Sequence, residues 1–207
     1  TDPARLTALP PLGDDVLREM STMRVHLEAA HPERSRRTVM LVSAQGGEGT
    51  TTVAAQLAAT LARDGSIRVL LVDANGRRPA LSMRVESAPA SGAKDPGPTD
   101  RLHALPLPKE LRGPTGIAPQ ALRQLLEPLE KAYDWFVLDG PPVLGSPDSA
   151  ALAGVVDGVV VVVQAGRTKR PVLTRSIELL RKAGARVLGT VLNRRRLEID
   201  GFTYRRI

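Results

Sequence analysis

Cysteine is absent from the 207-residue sequence, and aromatic residues make up only 2% of it. Without cysteine, neither a disulfide framework nor a thiolate metal site can form. Because aromatic rings are so scarce, the core has to be built from Val, Leu, Ile and Ala, which suits a parallel sheet covered by helices on both faces. The length allows one well-cored α/β domain and is short for two.

Long apolar runs are also missing. The longest, residues 155–163, is interrupted by Asp157 and Gly158. It is too short for a membrane helix, which needs roughly 20 apolar residues. We find no signal peptide, and the sequence begins at Thr1 rather than Met, so we allow for a membrane segment upstream. The histidines His26, His31 and His103 show no metal-ligand spacing.

Basic residues outnumber acidic ones by 29 to 22, which gives a net charge of +7. Such an excess favours an anionic partner: nucleotide phosphate, an acidic protein surface, nucleic acid or an anionic membrane. The run Arg194-Arg195-Arg196 has no aromatic stacking platform beside it. We therefore expect no nucleic-acid binding.

Strand-like and helix-like segments alternate along the chain. Residues 1–37 are predicted to form a loose segment and an amphipathic helix over 14–30, and residues 38–207 an α/β domain. Within this domain, strands are predicted at 38–43, 67–73, 135–139, 159–164 and 186–193. Helices are predicted at 51–63, 119–132 and 171–183. This alternation implies a mostly parallel sheet with helices on both faces. The stretch 86–100, rich in Pro, Gly, Ala and Ser, is predicted to be a mobile loop.

A glycine-rich turn, S-A-Q-G-G-E-G-T-T-T at residues 43–52, joins the first of these strands to a helix. Such a turn folds around a phosphate, with the first helical N–H groups directed at the anion. An ordinary P-loop has the pattern G-x-x-x-x-G-K-[ST]. Here Ala44 replaces its first glycine and Thr50 its lysine, so the segment alone fits a plain turn equally well. The candidate nucleotide-binding residues are Gly46, Gly47, Glu48, Gly49, Thr50, Thr51 and Thr52.

Two predicted strands end in a carboxylate. Asp73 begins D-A-N-G-R-R-P, and Asp139 begins D-G-P-P. The carboxyl ends of parallel strands face the crevice in which α/β folds bind ligands. Asp73 and Asp139, together with Thr51, are therefore candidate magnesium ligands, and Arg77 is a candidate phosphate contact. Each aspartate alone also fits a helix cap, but the three elements in this order predict a nucleotide site.

These motifs resemble those of the cytoplasmic domain of bacterial tyrosine kinases from capsule and exopolysaccharide chain-length systems, within the Min- and Par-like P-loop ATPases. The resemblance extends from the N-terminal helix to L-G-T-V-L-N at residues 188–193. It implies ATP or ADP with Mg²⁺ as ligands, Asp73, Asp139 and position 75 as catalytic positions, and Asn193 at the adenine. It also implies a membrane polysaccharide co-polymerase, or its cytoplasmic segment, as the partner. The chain would then lie at the inner face of the cell membrane, held there by the partner or by an upstream segment.

The sequence departs from this family where the family performs its chemistry. Thr50 stands in place of the P-loop lysine, and Asn75 in place of an aspartate that the family links to activation of the substrate hydroxyl. The tail has a single tyrosine, Tyr204, instead of a cluster. The ring-forming motif E-x-x-R-x-x-R of the N-terminal helix is reduced to Asp15, Arg18 and Ser21. These departures predict weakened nucleotide binding, weak or absent turnover and weak self-association.

Three functions follow from these observations. The first is a pseudokinase module that regulates a membrane exopolysaccharide or capsule assembly and export system. The second is an active, autophosphorylating tyrosine kinase of the same system with an unusual P-loop. The third is a Par- or Min-like positioning ATPase; the missing signature lysine near Gln45 and the lack of a C-terminal amphipathic helix weigh against it. The sequence favours the first over the second.

Overall fold

The computed structural model describes residues 3–5, 12–30, 33, 36–75, 101–108, 111–113 and 116–195. Among these residues, none of the helices combines the length and apolar character that crossing a bilayer requires. The predicted loop over 86–100 lies outside the described residues, as do Arg77 and Tyr204.

The described strands form one large sheet and one small hairpin. The strands are β1 Ala4–Arg5, β2 Arg37–Ser43, β3 Val69–Asp73, β4 Leu102–Pro106, β5 Arg112–Gly113, β6 Gly116–Ile117, β7 Trp135–Asp139, β8 Gly158–Gln164 and β9 Val187–Asn193. The large sheet has the order β1-β4-β3-β7-β2-β8-β9. Its six longer strands are parallel, and β1 is antiparallel to β4 at one edge. Strands β5 and β6 pair with each other.

Helices cover both faces of the sheet. In the described part of the chain they are α1 Asp14–Ala30, α2 Thr50–Ala62, α3 Pro119–Leu126, α4 Pro147–Ala153 and α5 Arg170–Lys182. The buried side chains fall into two clusters on opposite faces. One cluster contains residues of α1 and α2, such as Met23 and Leu57, and the other contains residues of α3, α4 and α5, such as Leu122, Leu152 and Leu180. The α/β fold predicted from the sequence is therefore confirmed.

Strand β8 shows why the strands are continuous apolar runs. Its five consecutive valines are all buried. Val160 and Val162 belong to one core cluster, whereas Val159 and Val161 belong to the other. Successive side chains of a strand point to opposite faces, and both faces of this sheet are covered, so each position has to be apolar.

Helix α1 packs against the core of its own chain. Its buried side chains are those that the helical spacing selects: Met20, Met23 and Leu27. Arg24 also reaches Asp64, beyond the end of α2, at 2.7 Å. The two charged residues Asp15 and Arg18 are exposed and lie 3.6 Å apart on the helix surface. The apolar stripe of α1 is therefore used within the chain, and its charged face is left at the surface.

Some elements differ from the sequence prediction. Strand β4 and helix α4 were not predicted, because both are short and lack a sustained hydrophobic period. The helix predicted over 119–132 ends at Leu126 and continues as a 3-10 turn, Glu127–Leu129. Pro128 accounts for this end because it has no N–H to donate to the preceding turn.

Gly140, which follows Asp139, provides a test of the packing between β7 and β2. A Cβ at this position would lie 2.9 Å from the carbonyl oxygen of Leu41 and 2.8 Å from Cγ1 of Val42. Because the backbone cannot move aside cheaply, we expect Gly140→Ala to lower the free energy of unfolding by about 1–3 kcal/mol in urea denaturation.

The matched control is Gly189→Ala on β9, where an added Cβ would meet nothing within 4 Å. This substitution is expected to be neutral or slightly stabilising, since alanine loses less backbone entropy on folding. Equal effects of the two substitutions would contradict the close packing at Gly140.

Candidate nucleotide-binding site

Three neighbouring strands, β3, β7 and β2, end on the same side of the sheet. We call this side, where the carboxyl ends of the parallel strands lie, the carboxyl edge. Strand β7 lies between β3 and β2, and the pairing register places Asp73 directly beside Asp139. Strand β2 pairs with β7 on one side and β8 on the other, and residues 44–49 connect it to α2. The glycine-rich segment therefore lies next to Asp139, and Asp73 lies one strand further away, beside Asp139.

The backbone of the glycine-rich segment turns sharply before α2. Gly47 and Gly49 have φ values of 85° and 94°, in the left-handed region that favours glycine. Gly49 precedes the helix, and no side chain caps the first turn of α2. Free N–H groups at a helix start, next to a tight glycine turn, form a cradle for phosphate. Thr50, at the position of the missing lysine, is the first helical residue and is buried.

Glu48 is the buried acid of this loop, with a relative exposure of 1%. The backbone N–H of Gln45 donates to its Oε2 at 3.0 Å. The hydroxyl of Thr168, in the connection from β8 to α5, donates a short hydrogen bond to its Oε1. Both carboxylate oxygens are thus engaged by the protein, so Glu48 fixes the loop to the neighbouring connection.

Asn193, at the end of β9, is also attached to the loop. Its Nδ2 donates to the carbonyl oxygen of Glu48 at 2.9 Å, and its Oδ1 accepts from the N–H of Arg194 at 2.9 Å. A Cβ on Gly49 would collide with this Nδ2. The residue that the family resemblance places at the adenine therefore contacts the phosphate loop directly.

Asp139 and Thr51 form the central hydrogen bond of the site. The Thr51 hydroxyl donates to Oδ2 of Asp139 at 2.6 Å. Asp139 is fully buried, and within the described chain its Oδ1 has no hydrogen-bond partner. Burial raises the pKa of Asp139 to about 7; the nearby charge of Asp73 adds to this rise, while the bond from Thr51 opposes it.

Asp73 is the second buried acid, with a relative exposure of 1%. Its Oδ1 accepts a hydrogen bond from the backbone N–H of Asn75 at 3.1 Å. The contact comes from the Asn75 backbone, so an aspartate at position 75 would preserve it. The sequence thus placed Asp73, Asn75 and Asp139 at one edge, and the structure brings all three to it.

The oxygen atoms at this edge suit magnesium. Mg²⁺ takes oxygen ligands and is often bound by one or two carboxylates together with substrate phosphates. Thr51 and Asp139 present a hydroxyl and a bare carboxylate oxygen, with Asp73 adjacent. Groups of three or more acidic or histidine side chains that could hold a metal unaided are absent from the described residues. Magnesium at this edge would therefore complete its coordination with nucleotide phosphates and water.

The connection from β8 to α5 was not singled out as part of the site by the sequence. Arg167 lies over the loop, with its Nη1 3.3 Å from the position of a Cβ on Gly47. Both Arg167 and Arg194 donate to Oε1 of Gln164 at 3.4 Å. Arg167 and Arg194 belong to no general nucleotide-binding sequence pattern. They come together because Gln164 at the end of β8 pairs with Asn193 at the end of β9.

A cavity of about 830 Å³ lies at the other end of the strands, where their amino ends are. Thr38 and Phe136, near the amino ends of β2 and β7, line it, as do Leu122 of α3 and Asp157 before β8. In parallel α/β sheets, ligands bind at the carboxyl ends of the strands. We therefore place the nucleotide site at the glycine-rich loop rather than in this cavity.

The loop, the Thr51–Asp139 pair and the strand order together define a P-loop nucleotide-binding protein. The profile of the CobQ/CobB/MinD/ParA nucleotide binding domain matches residues 39–201. The chain is 29% identical over 195 residues to the tyrosine-protein kinase YwqD of Bacillus subtilis (strain 168), covering 85% of this chain and 80% of YwqD. The chain belongs to the CobQ/CobB/MinD/ParA family and, within it, is similar to bacterial tyrosine-protein kinases.

Two further comparisons agree with this assignment. The crystal structure of the VpsO kinase domain matches with a TM-score of 0.67 at 29% identity, over 88% of this chain and 98% of that domain. The succinoglycan biosynthesis transport protein ExoP of Rhizobium meliloti (strain 1021) is 27% identical over 175 residues. That match covers 76% of this chain but only 22% of ExoP.

The raised pKa of Asp139 predicts a pH-dependent stability. The native state keeps this proton up to about pH 7, whereas an ordinary aspartate releases it near 3.8. Between these values the native state binds more protons than the unfolded state, so stability falls as pH rises. Asp139→Asn removes this titration. The stability of the variant relative to the unaltered chain should therefore increase by about 2–3 kcal/mol from pH 5 to pH 7 and level off above.

Urea denaturation at pH 5, 6, 7 and 8 measures this difference. The control Asp15→Asn makes the same change at an exposed carboxylate on α1, away from the site. A stability difference between Asp139→Asn and the unaltered chain that stays constant over this range would contradict the raised pKa.

Proposed function

We propose that the chain is a pseudokinase module of a membrane exopolysaccharide or capsule assembly and export system, with weak or no nucleotide turnover. The observation on which this rests is Thr50. It occupies the lysine position at the start of α2, in a family whose related members include tyrosine-protein kinases. The remaining phosphate loop and the Thr51–Asp139 pair support nucleotide binding without efficient transfer.

Replacing the lysine by Thr50 removes a cation from the β- and γ-phosphates. A hydrogen bond to a charged group contributes roughly 1.5–3 kcal/mol to binding. The loss in the transition state is larger, because charge develops there in a site with little water. Thr50 is also buried beside the loop, and a threonine hydroxyl cannot reach as far as a lysine ammonium. Transfer should therefore suffer more than binding.

Asn75 removes a second requirement for transfer to a hydroxyl. A carboxylate at this position can accept the proton of the attacking group, whereas a neutral amide cannot. Asp73 and Asp139 remain, but both are buried; Asp139 accepts a hydrogen bond from the candidate magnesium ligand Thr51, and Asp73 lies beside Asp139. We assign them to magnesium rather than to proton transfer. The two replacements, at positions 50 and 75, thus weaken different steps of one reaction.

The proposed partner is a membrane polysaccharide co-polymerase or its cytoplasmic segment. The relationship to ExoP, a succinoglycan biosynthesis transport protein, supports such a system. The exposed charged face of α1 supports a surface for a partner, because the apolar face of that helix is already buried in the chain. In this proposal the module acts at the inner face of the cell membrane and binds nucleotide with magnesium weakly.

An autophosphorylation assay with ATP and Mg²⁺ tests the pseudokinase proposal. We expect no phosphotyrosine above the level of Asp139→Ala. Thr50→Lys should raise ATP affinity at least tenfold, because it restores the phosphate cation, and should leave transfer near background. Thr50→Lys combined with Asn75→Asp should raise transfer further than either change alone.

The alternative, an active tyrosine kinase, predicts different results. Strong phosphotyrosine at Tyr204 in the unaltered chain, abolished by Asp139→Ala, would overturn the pseudokinase proposal. Calorimetry on the same samples separates the loss of ATP binding from the loss of transfer.

Self-association should be weak in the isolated chain. Arg18 remains from the family's ring-forming motif, and it lies 3.6 Å from Asp15 of its own helix. Exposed ion pairs contribute at most about 1 kcal/mol each, so a motif that has lost one cation at Ser21 should not hold a ring together. We expect light scattering at micromolar concentration to give the mass of a monomer or a weak oligomer.

Arg18→Ala should leave that mass unchanged, as should the control Arg175→Ala on α5. A stable ring of defined size that Arg18→Ala disrupts, and Arg175→Ala does not, would show that the motif still assembles.

A further inference from the structure

Two guanidinium groups converge beside the phosphate loop. Arg167 follows β8 and Arg194 follows β9, and both donate to the same oxygen, Oε1 of Gln164, at 3.4 Å. The two cations therefore share one neutral acceptor. Because each guanidinium lies 3.4 Å from the same oxygen, the two positive charges are close enough to repel each other. The amide oxygen between them is neutral and cancels neither charge. A bound anion would remove this repulsion.

Neither guanidinium has a carboxylate partner among the residues that the structure describes. Some other arginines of the described chain do have one: Arg24 pairs with Asp64, and Arg175 with Glu178. Arg167 and Arg194 are both exposed, so a ligand can reach them. Their positive charge is therefore available at the carboxyl edge of the sheet.

Arg167 is directed toward the part of the loop that would hold phosphate. Its Nη1 lies 3.3 Å from the position of a Cβ on Gly47, and Gly47 is one of the two left-handed glycines of the loop. Backbone N–H groups of such a loop contact phosphate oxygens. A guanidinium beside them can add two parallel hydrogen bonds to the same phosphate, with a geometry that lysine does not provide.

The segments that contain both arginines are attached to the loop by Glu48. Thr168, next to Arg167, donates to the Glu48 carboxylate and accepts from the N–H of Gln164. Asn193, next to Arg194, donates to the Glu48 carbonyl oxygen at 2.9 Å. One loop residue thus fixes the position of both arginine-bearing segments. This attachment reduces the motion that each guanidinium would lose on binding.

We propose that Arg167, assisted by Arg194, supplies the phosphate-binding cation that Thr50 cannot supply. The proposal rests on the proposed function in one respect, that the loop binds a nucleoside di- or triphosphate. It adds that the phosphates are bound from the β8–α5 side of the loop. Arginines that enter from this side stabilise phosphate already held by the loop, which provides binding without restoring the lysine at the helix start.

Binding of Mg²⁺–ADP, measured by calorimetry, tests the proposal, because ADP lacks the γ-phosphoryl group that a kinase transfers and so reports binding alone. Arg167→Ala should weaken binding at least tenfold, and Arg194→Ala should weaken it less. Arg167→Lys keeps the charge but not the two parallel hydrogen bonds, so it should retain only part of the affinity and bind ADP more tightly than Arg167→Ala. The control Arg175→Ala removes an exposed arginine of α5, which is paired with Glu178, and should have no effect.

A compensating variant makes the test specific to the missing lysine. Thr50→Lys should recover most of the ADP affinity that Arg167→Ala removes. Equal ADP binding by Arg167→Ala and the unaltered chain would overturn the proposal, as would no binding by the unaltered chain. The pseudokinase proposal is tested separately. Strong autophosphorylation would overturn the pseudokinase proposal, even if Arg167→Ala abolished ADP binding.

Discussion

The buried carboxylate of Glu48 holds the site together. It accepts from the backbone of its own loop and from Thr168 of the β8–α5 connection, while its carbonyl accepts from Asn193 of β9. A buried charge is expensive unless hydrogen bonds satisfy it, so these contacts have to form together. The conformation of the phosphate loop therefore depends on two segments that lie 120 and 145 residues further along the chain.

This arrangement gives the site an unusual distribution of charge. Three buried acids lie at this end of the sheet: Glu48 in the loop, Asp139 at the end of β7, and Asp73 beside Asp139. Thr50 stands where a cation is expected. An acid-rich edge repels phosphate unless magnesium and cationic side chains offset it. The raised pKa of Asp139 lowers the negative charge of this edge, because a protonated acid adds none. Magnesium would lower the pKa of Asp139 again, since it binds the deprotonated carboxylate.

The sequence predicted the sheet, most helices and the strand-end acids because each depends on local regularities. Apolar runs identified β2, β7 and β8, and aspartates at strand ends had to lie at one edge once the strands were parallel. Strand β4 has no such regularity, being five residues long and ending in a proline. The roles of Thr168 and Arg167 were not predictable for another reason: they arise from the lateral order of β2, β8 and β9, which no local pattern encodes.

The P-loop lysine has two functions, phosphate binding in the ground state and stabilisation of the transferred phosphoryl group. The loop can keep the first function without the lysine. Binding needs net positive charge near phosphates in their ground state, and cations on either side of the loop can provide it. Transfer needs charge at the phosphoryl group as it moves, from a donor that is already in place. The two conditions place different demands on geometry, since arginines attached through Glu48 lie at the side of the loop, whereas position 50 begins α2. In the proposed pseudokinase, the threonine would abolish transfer. The buried carboxylates, the glycine turn and the magnesium oxygens would still serve a nucleotide that is bound and released unchanged.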